Sequence, residues 1–510
     1  MALRSAVYRN AELFDGDLVS PKGLAKEPVS LSRVDMGTHF QCRFSITPGK
    51  SGAAGEEFTD CLGQLEAMLR RDGIGLGNAV QMSVFVPSEG YEASRLEFQR
   101  RLWEYFGGPE LAPPASFIGQ TPAGGKKAAL DGIAVAPKEG HALEINPPRV
   151  VYPGSGVGRI NPAQRMSEEE IESALLLPKG SLEGAGDAVY SVAVADGRTW
   201  VYGAGLEGNP NSKSAAEKAR GAFAKEIAIL LKEGIFREGA LANIGLLNSR
   251  HYVHDIVGDN YNHLNNARKE AYRKARLFMK YPSATGIGMF SAEGDIILEF
   301  VSAEGVGYEV IESGKHGEAW QYSTDWLAKQ VGGSIGLKGE GSGAGMKVSK
   351  PLFSRALYLP AEGVMLVSGT ASVENRKLLY GASEFDRLNQ EQGGSGVLVG
   401  IDDIVGSVGV KHLKDAGLNP IAMPNEGTCI RAGSAVEAQT WATVRNIARL
   451  LGRKGKTIRD MAQTRVYVED LADAPKVMGL CERLFENKPS LCVHGPVCYK
   501  GWLVEIEGIA

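Results

Sequence analysis

The chain repeats one C-terminal pattern three times, and this repetition limits the possible folds more than any other feature. The segments 113–134, 282–303 and 489–510 align without a gap. Each begins with proline, has glycine six residues later and ends with alanine. The second half of each segment alternates apolar residues with others, as a half-buried strand does. Each segment is therefore predicted to form two strands joined by a turn.

The residues before each segment also follow a common order. In the first repeat, Phe58, Leu62 and Leu65 recur at helical spacing, the strand-like stretch 81–87 follows, and a second helix passes through Trp103. The second and third repeats show the same order, with a hairpin-like pair of strands before the first helix. Any three α+β domains share some of this order, but the gap-free register favours true repetition. The predicted order is ββαβαββ, three times.

The fold class expected is α+β, with three domains at residues 1–145, 146–347 and 348–510. A chain of 510 residues is too long for one core, which agrees with several domains. The third domain carries an insertion of about sixty residues, 374–433. A connection of that length predicts a functional element such as a lid or an interface. Within it, residues 397–417 are predicted to form a strand followed by a short helix.

The composition is that of a globular, cytoplasmic protein. Hydrophobic residues make up 43% of the chain, and the formal net charge of −4 gives no electrostatic case for a nucleic acid or an acidic membrane as partner. No apolar run reaches the roughly 18 residues of a membrane helix, and the N-terminus is too polar for a secretory signal. The six scattered cysteines are expected to be reduced. No metal or other cofactor is expected, because no Asp or Cys spacing completes a site with the histidines at 251, 254 and 263.

The strand at 464–470, the helix ending near Phe485 and the C-terminal strand resemble the RidA/YjgF family. That resemblance implies sheets around a central barrel, with ligand clefts between neighbouring units. Three fused units imply an intramolecular pseudo-trimer, so we expect a monomer or a homodimer. The family's deaminase activity relies on an arginine just after the hairpin proline, and none occurs at 114–119, 283–288 or 490–495. The resemblance therefore supports the fold and argues against deaminase chemistry, since a guanidinium is a bidentate carboxylate ligand that other side chains do not replace.

Residues of about 150–510 also resemble the chorismatases, which convert chorismate to hydroxybenzoates or to a dihydroxycyclohexadiene carboxylate. Four stretches carry the resemblance in the order of that family: 250–268, 282–288, 366–372 and 498–508. The first contains R-x-Y and Y-x-x-x-N-x-x-R, the second is PSATGIG, the third is LVSGTAS, and the last is C-x-x-x-x-L-V-E-I-E-G. The resemblance implies cleavage of the enolpyruvyl ether of chorismate, or of a related compound, to pyruvate and a hydroxybenzoate-type product.

Glu505 is the predicted catalytic acid. In the gap-free alignment, the matching positions of the other repeats hold Ala129 and Leu298. A carboxyl group beside the apolar Leu503 and Val504 is expected to be partly desolvated, which raises its pKa. Such a group can protonate the methylene carbon of the enolpyruvyl group, and the resemblance assigns this role to the matching glutamate.

The other predicted site residues select the product or bind the substrate. Cys498 resembles the residue of the hydroxybenzoate-forming branch, which favours 3-hydroxybenzoate as the product. Arg268 is expected to bind a substrate carboxylate, and glycines let backbone N–H groups approach a ligand closely. The predicted substrate-binding residues are Arg268, Tyr261, Arg250, Tyr252, Thr285, Gly286, Gly369, Thr370, Ala371 and Ser372.

Simpler interpretations stand beside these roles. Glu505 could be an exposed strand residue, Cys498 a small buried filler, and Arg268 part of a solvated basic helix face. Glu507 is expected to be a surface or structural acid, because Asp131 occupies its place in the first repeat. At the level of the whole protein, the alternatives are a RidA-like hydrolase or deaminase of a reactive nitrogen compound, and a non-catalytic pseudo-trimer that binds small carboxylates.

Overall fold

The structure is a computed structural model that describes four long stretches of the chain. They are residues 29–150, 188–277, 281–311 and 353–510, apart from 210, 213, 293–294, 375–376, 425–426 and 487, together with the isolated positions 169 and 173. The polar N-terminal stretch noted above lies outside the described residues. None of the helices in the described stretches combines the length and the apolar character that crossing a membrane requires.

The first repeat forms a five-stranded sheet with two helices packed on one face. The apolar helical positions predicted from the sequence, Phe58, Leu62 and Leu65, are fully buried in one cluster with Val84 of the sheet. The elements are β1 (Val29–Asp35), β2 (His39–Ile46), α1 (Ala54–Arg71), β3 (Ala79–Val86), α2 (Tyr91–Phe106), β4 (Ala115–Gly119) and β5 (Ala129–Pro137).

The second repeat has the same elements and one additional edge strand, β6, which pairs with β7. The predicted domain boundary after residue 145 falls within β6, and the three domain boundaries stay predictions. The elements are β6 (Leu143–Val150), β7 (Val189–Ala195), β8 (Arg198–Glu207), α3 (Ala215–Lys232), β9 (Leu246–His254), α4 (Asn260–Lys274), β10 (Ser283–Met289) and β11 (Ile296–Ala303).

The third repeat again has these elements, with the insertion between its second strand and its first helix. It begins with β12 (Glu309–Ile311), β13 (Ala356–Leu359) and β14 (Val364–Thr370). The insertion contributes β15 (Val373–Glu374), β16 (Lys377–Leu378), α5 (Ala382–Glu391), β17 (Val397–Gly400), α6 (Asp402–Asp415), β18 (Ile421–Met423) and β19 (Gly427–Ala432). The repeat ends with α7 (Ala435–Gly452), β20 (Gln463–Val468), α8 (Ala474–Leu484), β21 (Ser490–His494) and β22 (Val504–Ile509).

The three large sheets share one topology. Their strand orders are β1-β2-β5-β3-β4, β7-β8-β11-β9-β10 and β13-β14-β22-β20-β21, with β6 and β12 added at the edges of the last two. The last pair of each order is parallel, whereas the other pairs are antiparallel. The α+β class is therefore confirmed, and the ββαβαββ order occurs three times in the described residues.

The sheet faces that the helices leave uncovered meet in a shared core. One apolar cluster joins Val34 of the first sheet, Trp200 of the second and Leu366 of the third. Another cluster contains Phe85 and Tyr467 from the first and third sheets, again with residues of the second. The three repeats therefore pack around one common centre, as a pseudo-trimer requires.

The strand registers identify equivalent positions in the three sheets. Each sheet has one acidic residue at the same point of its central ladder: Asp131 opposite Ser83, Glu299 opposite Arg250, and Glu507 opposite Arg465. The acidic residue of the second repeat is thus Glu299, which the gap-free alignment does not match to Glu507.

This register corrects one sequence-based equivalence. Glu505 lies opposite Tyr467, and the matching pair in the second sheet is Ile297 and Tyr252. The residue equivalent to Glu505 is therefore Ile297 and not Leu298. The prediction was wrong by one position because the chain from the hairpin proline to this point is one residue shorter in the second repeat, Pro282 to Ile297, than in the third, Pro489 to Glu505.

The insertion forms a layer on the outer side of α7. Strands β17, β19 and β18 make a three-stranded sheet, and Val399, Ile404 and Leu413 share a buried cluster with Trp441 of α7. The strand and helix predicted over 397–417 are confirmed as β17 and α6. The role of the insertion as a lid or an interface stays a prediction.

Candidate active site

A pocket lies where the second repeat meets the third. Its space amounts to about 490 Å³ when the part open to solvent is included. Elements β10 and α4 form one side, and β14 and β22 form the other. The lining residues are Tyr261, Arg268, Ala284, Gly286, Phe353, Arg355, Gly369, Ala371, Val373, Cys498, Trp502 and Glu505. Seven of the predicted site residues are among them: Glu505, Cys498, Arg268, Tyr261, Gly286, Gly369 and Ala371.

Glu505 projects into this pocket from β22 with only 5% of its surface exposed. Its Oε1 atom lies 1.8 Å from the point where a Cβ on Gly369 would be, so the carboxyl group occupies space that only a glycine leaves open. Burial raises the pKa of Glu505 to about 8, against the opposing charge of Arg355 and with the added repulsion of Glu507. The group is therefore a mostly protonated carboxylic acid at neutral pH, and the exposed-strand interpretation does not apply to it.

Two buried guanidinium groups line the same pocket. Arg268 and Arg355 lie on the ring of Phe353, with guanidinium carbons 5.8 and 5.9 Å from the ring centroid. Arg355 donates from Nη1 to the backbone oxygen of Gly369 over 3.0 Å. Arg268 is 2% exposed, and no described carboxylate lies within ion-pair distance of it. Its neighbours on α4, Arg273 and Lys274, are exposed, so the solvated-face interpretation fits them but not Arg268.

The buried side chains near Arg268, Glu226 and His251, do not neutralise its positive charge. The Ser249 hydroxyl donates to Glu226 Oε1 over 3.1 Å and lies 2.9 Å from His251 Nε2. Burial raises the pKa of Glu226 to about 8 and lowers the pKa of His251 well below its ordinary value. Both groups are therefore largely neutral near pH 7. The positive charge of Arg268 remains available for an anion in the pocket.

Thr285 connects the pocket to the centre of the molecule. Its hydroxyl donates to Glu507 Oε2 over 2.6 Å and accepts a bond from the backbone N–H of Gly369 at 2.9 Å. Burial would raise the pKa of Glu507, but Arg250 and Arg465 beside it hold that pKa below its ordinary value. Glu507 is thus a buried, ionised, structural acid that fixes the position of the pocket wall.

Four of the predicted substrate-binding residues bond to the protein itself. Arg250 points to the central ladder, where its Nε donates to Glu507 over 2.8 Å. Tyr252 is fully buried in the core shared by the three sheets. Thr370 and Ser372 are also buried, and their hydroxyls donate to backbone carbonyls at 2.9 and 3.2 Å. None of these four side chains is part of the pocket lining, and neither is Thr285.

Cys498 lies beside the carboxyl group of Glu505. Burial, strengthened by the nearby Glu505, raises the pKa of the Cys498 thiol well above its ordinary value, although a hydrogen bond with Tyr261 opposes the shift. Cys498 is therefore a neutral thiol, which suits a residue that shapes the pocket and not a nucleophile.

Some lining residues were not predicted from the sequence, above all Arg355, Phe353 and Trp502. The sequence does contain a signal for Arg355. It lies two and four positions before Leu357 and Leu359, on the same strand face, and both leucines are fully buried. A charged residue on an otherwise apolar strand face points to a special environment. Phe353 and Trp502 lie outside regular elements, so no periodicity marks them.

The structure also locates the histidines that are close together in sequence. His251 is buried, with its ring 5.5 Å from that of Phe223, while His263 is exposed. Across the described stretches, no three His, Cys, Asp or Glu side chains are grouped as metal ligands would be.

Comparison with known proteins identifies one segment clearly. The model of the endoribonuclease L-PSP family matches residues 416–510, which contain all the elements from β18 to β22. No curated protein is similar enough in sequence to count as a relative.

Several solved structures are similar to the chain at low sequence identity. A chorismatase covers 94% of this chain with 100% of its own, at 14% identity and a TM-score of 0.48. The Rid-family protein YyfA from Yersinia pestis covers 35% of this chain with 98% of its own, at 15% identity and a TM-score of 0.18. TdcF from E. coli, solved with bound serine, covers 20% of this chain with 84% of its own, at 17% identity and a TM-score of 0.16. Similarities at this level carry no information about activity. The similarity that carries weight is therefore local: over residues 416–510 the third repeat matches the model of the endoribonuclease L-PSP family, in agreement with the RidA-type resemblance expected from the sequence.

Proposed function

We propose that this protein is a chorismatase-like enzyme. It cleaves the enolpyruvyl ether of chorismate, or of a closely related compound, to pyruvate and a hydroxybenzoate-type product. The observation that carries the proposal is the combination of a protonated carboxylic acid, Glu505, with two buried guanidinium groups in one pocket. Chorismate has two carboxylates and an acid-labile enol ether, so each of these protein groups has a counterpart on the substrate.

In the proposed complex, Arg268 and Arg355 bind the two carboxylates. Both arginines contact Phe353, which restricts where their guanidinium groups can lie, and a guanidinium binds a carboxylate in a bidentate manner. The neutral state of Glu226 and His251 behind Arg268 adds to the attraction, because no described anion competes for that charge. The substrate ring then occupies the space that Gly286 and Gly369 leave free of side chains.

Glu505 supplies the proton in the chemical step. Proton transfer to the methylene carbon converts the enol ether to an oxocarbenium ion, and cleavage of the bond between the ring and its oxygen substituent follows. The hydroxyl oxygen on the neighbouring ring carbon then bonds to the carbon that pyruvate has left and gives up its proton, which forms an epoxide. When the epoxide opens at the carbon that first held the hydroxyl group, the oxygen takes up a proton and the ring loses one C–H proton to become 3-hydroxybenzoate, while the methylene carbon has gained one proton. Pyruvate and a hydroxybenzoate together contain the atoms of chorismate, so the reaction needs no co-reactant and no cofactor.

The product assignment to 3-hydroxybenzoate rests on Cys498 and on the resemblance of its position. A neutral thiol next to the acid is compatible with a role in steering the intermediate toward an aromatic product. The deaminase alternative has less support, because no arginine follows the hairpin proline in any repeat.

The test is incubation of the purified protein with chorismate, with pyruvate measured by a coupled assay and the ring product by chromatography. The wild-type protein is expected to release pyruvate with 3-hydroxybenzoate. Glu505→Gln keeps the shape of the side chain but removes the acid, so kcat is expected to fall by about 100-fold or more. Glu89→Gln, at an exposed position before α2, is the matched control and should behave like the wild type.

Each other outcome has a defined meaning. Near-normal turnover by Glu505→Gln would contradict the proposed mechanism. Pyruvate together with a dihydroxycyclohexadiene carboxylate would keep the acid step and remove the product assignment. Chorismate binding without turnover, lost in Arg268→Gln, would identify a non-catalytic protein that binds small carboxylates.

A further inference from the structure

A cavity lies at the centre of the molecule, and all three repeats contribute to its lining. Its space amounts to about 350 Å³ when the part open to solvent is included. Each repeat supplies one arginine: Arg43 on β2, Arg250 on β9 and Arg465 on β20. The described residues that line it are all different from those that line the candidate active site. Nearly all of them are buried, so this cavity is a separate and enclosed part of the molecule.

The carboxylates around the cavity are paired with two of these arginines. Asp131 lies 2.8 Å from Arg465. Glu507 lies 2.8 Å from Arg250 and 3.7 Å from Arg465. Glu299, which is not part of the lining, lies 3.6 Å from Arg250. Arg250 and Arg465 therefore share all three acids of the central ladders.

Arg43 is a buried cation without a carboxylate partner. It is 4% exposed, and no described Asp or Glu lies within ion-pair distance of it. Its Nη2 donates to Gln41 Oε1 over 2.7 Å, while its buried Nε has no hydrogen-bond partner among the described residues. Burial, together with the positive charges of Arg250 and Arg465, lowers the pKa of Arg43 to about 10, although Asp131 opposes the shift. The side chain is therefore still charged at neutral pH.

The other two repeats have no cation at the position of Arg43. Arg43 lies opposite the residue two positions after the acid of its central ladder. The residues at the matching points of the second and third sheets are Tyr202 and Leu366. The packing of the repeats thus does not require a positive charge at this position, and Arg43 is specific to the first repeat.

The surroundings of Arg43 indicate what compensates its charge. A buried ion is costly unless an opposite charge and hydrogen bonds accompany it. The nearby carboxylates are already held by Arg250 and Arg465, so the missing counter-charge has to come from outside the described chain. Buried side chains surround the cavity, which favours a single-atom anion over an organic one. A guanidinium group has five N–H donors, and those of Arg43 that Gln41 does not use are available for such an ion.

We propose that the central cavity binds a chloride ion, or another anion of similar size, against the guanidinium group of Arg43. The ion supplies the counter-charge that Arg43 lacks and so stabilises the junction of the three repeats. This inference goes beyond the proposed function and does not depend on it.

The first test measures the melting temperature of the full-length protein while sodium chloride replaces sodium methanesulfonate at constant ionic strength. Methanesulfonate is bulkier than chloride and keeps the screening of surface charges unchanged. The melting temperature of the wild type is expected to rise saturably by about 2 °C or more, because the cavity that binds chloride exists only in the folded state. Arg43→Met should lack this rise. Arg100→Met, at a position that is 57% exposed, is the control and should respond like the wild type.

The second test locates the ion in crystals of the wild-type protein grown in sodium bromide. Bromide has nearly the size of chloride, and data collected at its absorption edge show it as an anomalous peak. The peak is expected in the central cavity beside Arg43. This measurement decides the question even if Arg43→Met does not fold.

Two results would overturn the proposal: no anomalous peak in the central cavity, including the case in which bromide binds only at the surface, or an equal rise of the melting temperature in Arg43→Met and the wild type. Neither test uses chorismate or reads an activity. Failure of the active-site proposal therefore would not be mistaken for failure of this one.

Discussion

At the scale of single residues, two buried acids on one strand have opposite protonation states. Glu505 and Glu507 are two positions apart on β22, and both are at least 95% buried. Glu507 contacts Arg250 over 2.8 Å and stays ionised. Glu505 faces the pocket, where burial outweighs the charge of Arg355 and keeps the proton on. Because their partners differ, Glu507 is a structural acid, whereas Glu505 can donate a proton.

The first prediction concerns pH. Because the pKa of Glu505 is raised to about 8 in the folded protein, the acid form is present below that pH and is lost above it. The kcat for chorismate cleavage is therefore expected to be flat from about pH 6 to 7 and to fall about tenfold for each pH unit well above 8. A kcat that rises with pH on an acidic limb and stays high above pH 8 would instead show that Glu505 reacts as a carboxylate.

The second prediction concerns Gly369. A Cβ there would lie 1.8 Å from Glu505 Oε1 and 2.9 Å from Thr285 Cγ2, so Gly369→Ala must displace the acid. We expect kcat/KM to fall by 100-fold or more, since about 1 Å of misplacement has that effect on catalysis. Gly406→Ala is the control, because a Cβ at Gly406 meets nothing within 4 Å. Equal activity of the two variants would show that Glu505 does not need its present position.

At the scale of elements, the helices and strands predicted correctly from the sequence are those that a local periodic pattern marks. Helix α1 followed from the spacing of Phe58, Leu62 and Leu65, and the last two strands of each repeat followed from proline, glycine and alternation. Strand β6 was not predicted, because it contains Pro147 and Pro148. Proline is tolerated mainly where a strand lies at the edge of its sheet, and among the described strands β6 pairs with β7 alone.

Local sequence patterns do not show how the repeats pack, and this explains why only some of the site residues were predicted correctly. Motif resemblance located Glu505, Arg268 and Tyr261 on the pocket. Arg250 and Tyr252 also belong to a motif, but alternation only shows that they share a strand face. Whether that face borders the pocket or the centre depends on how the three repeats pack. That information is spread over residues far apart in the chain.

The third prediction concerns the insertion. Leu413 of α6 is fully buried in the cluster that includes Trp441 of α7, so the insertion is part of the third repeat's core. Leu413→Ala is expected to lower the free energy of unfolding by about 2–5 kcal/mol in urea denaturation. Val410→Ala, on the same helix but 38% exposed, should have little effect. A separate early transition in Leu413→Ala would mean that the insertion unfolds independently of α7.

At the scale of the whole molecule, one arginine joins the three repeats. Arg465 of the third sheet contacts Asp131 of the first over 2.8 Å and donates to the hydroxyl of Tyr252 in the second. It also lies 3.7 Å from Glu507 on its own sheet. The side chain is 2% exposed. A charge this deeply buried requires all of its partners to be in place.

The fourth prediction follows from that contact set. Arg465→Met removes the charge and leaves Asp131 buried without its cation, so the loss of stability is expected to be about 3–5 kcal/mol. Arg459→Met is the control, because Arg459 is 54% exposed. Calorimetry should show one transition for the wild type, since the repeats share their core. Separate transitions for individual repeats would contradict a common centre.

The fifth prediction concerns assembly. The three sheets already meet within one chain, so no further copies are needed to close the core. Light scattering is expected to give the mass of one or two chains of 54.5 kDa. An obligate trimer of chains would contradict the single-chain pseudo-trimer.

The covalent joining of the repeats has a consequence for inheritance. In a trimer of identical subunits, one codon specifies the same residue in all three clefts, so every mutation changes all three clefts at once. Here Glu505 and its counterpart Ile297 are encoded separately, and selection can alter one cleft while the other is kept. Arg465, by contrast, bonds to groups on all three sheets and is encoded once. The clefts can therefore diverge in chemistry, while the centre has to be preserved for all three repeats together.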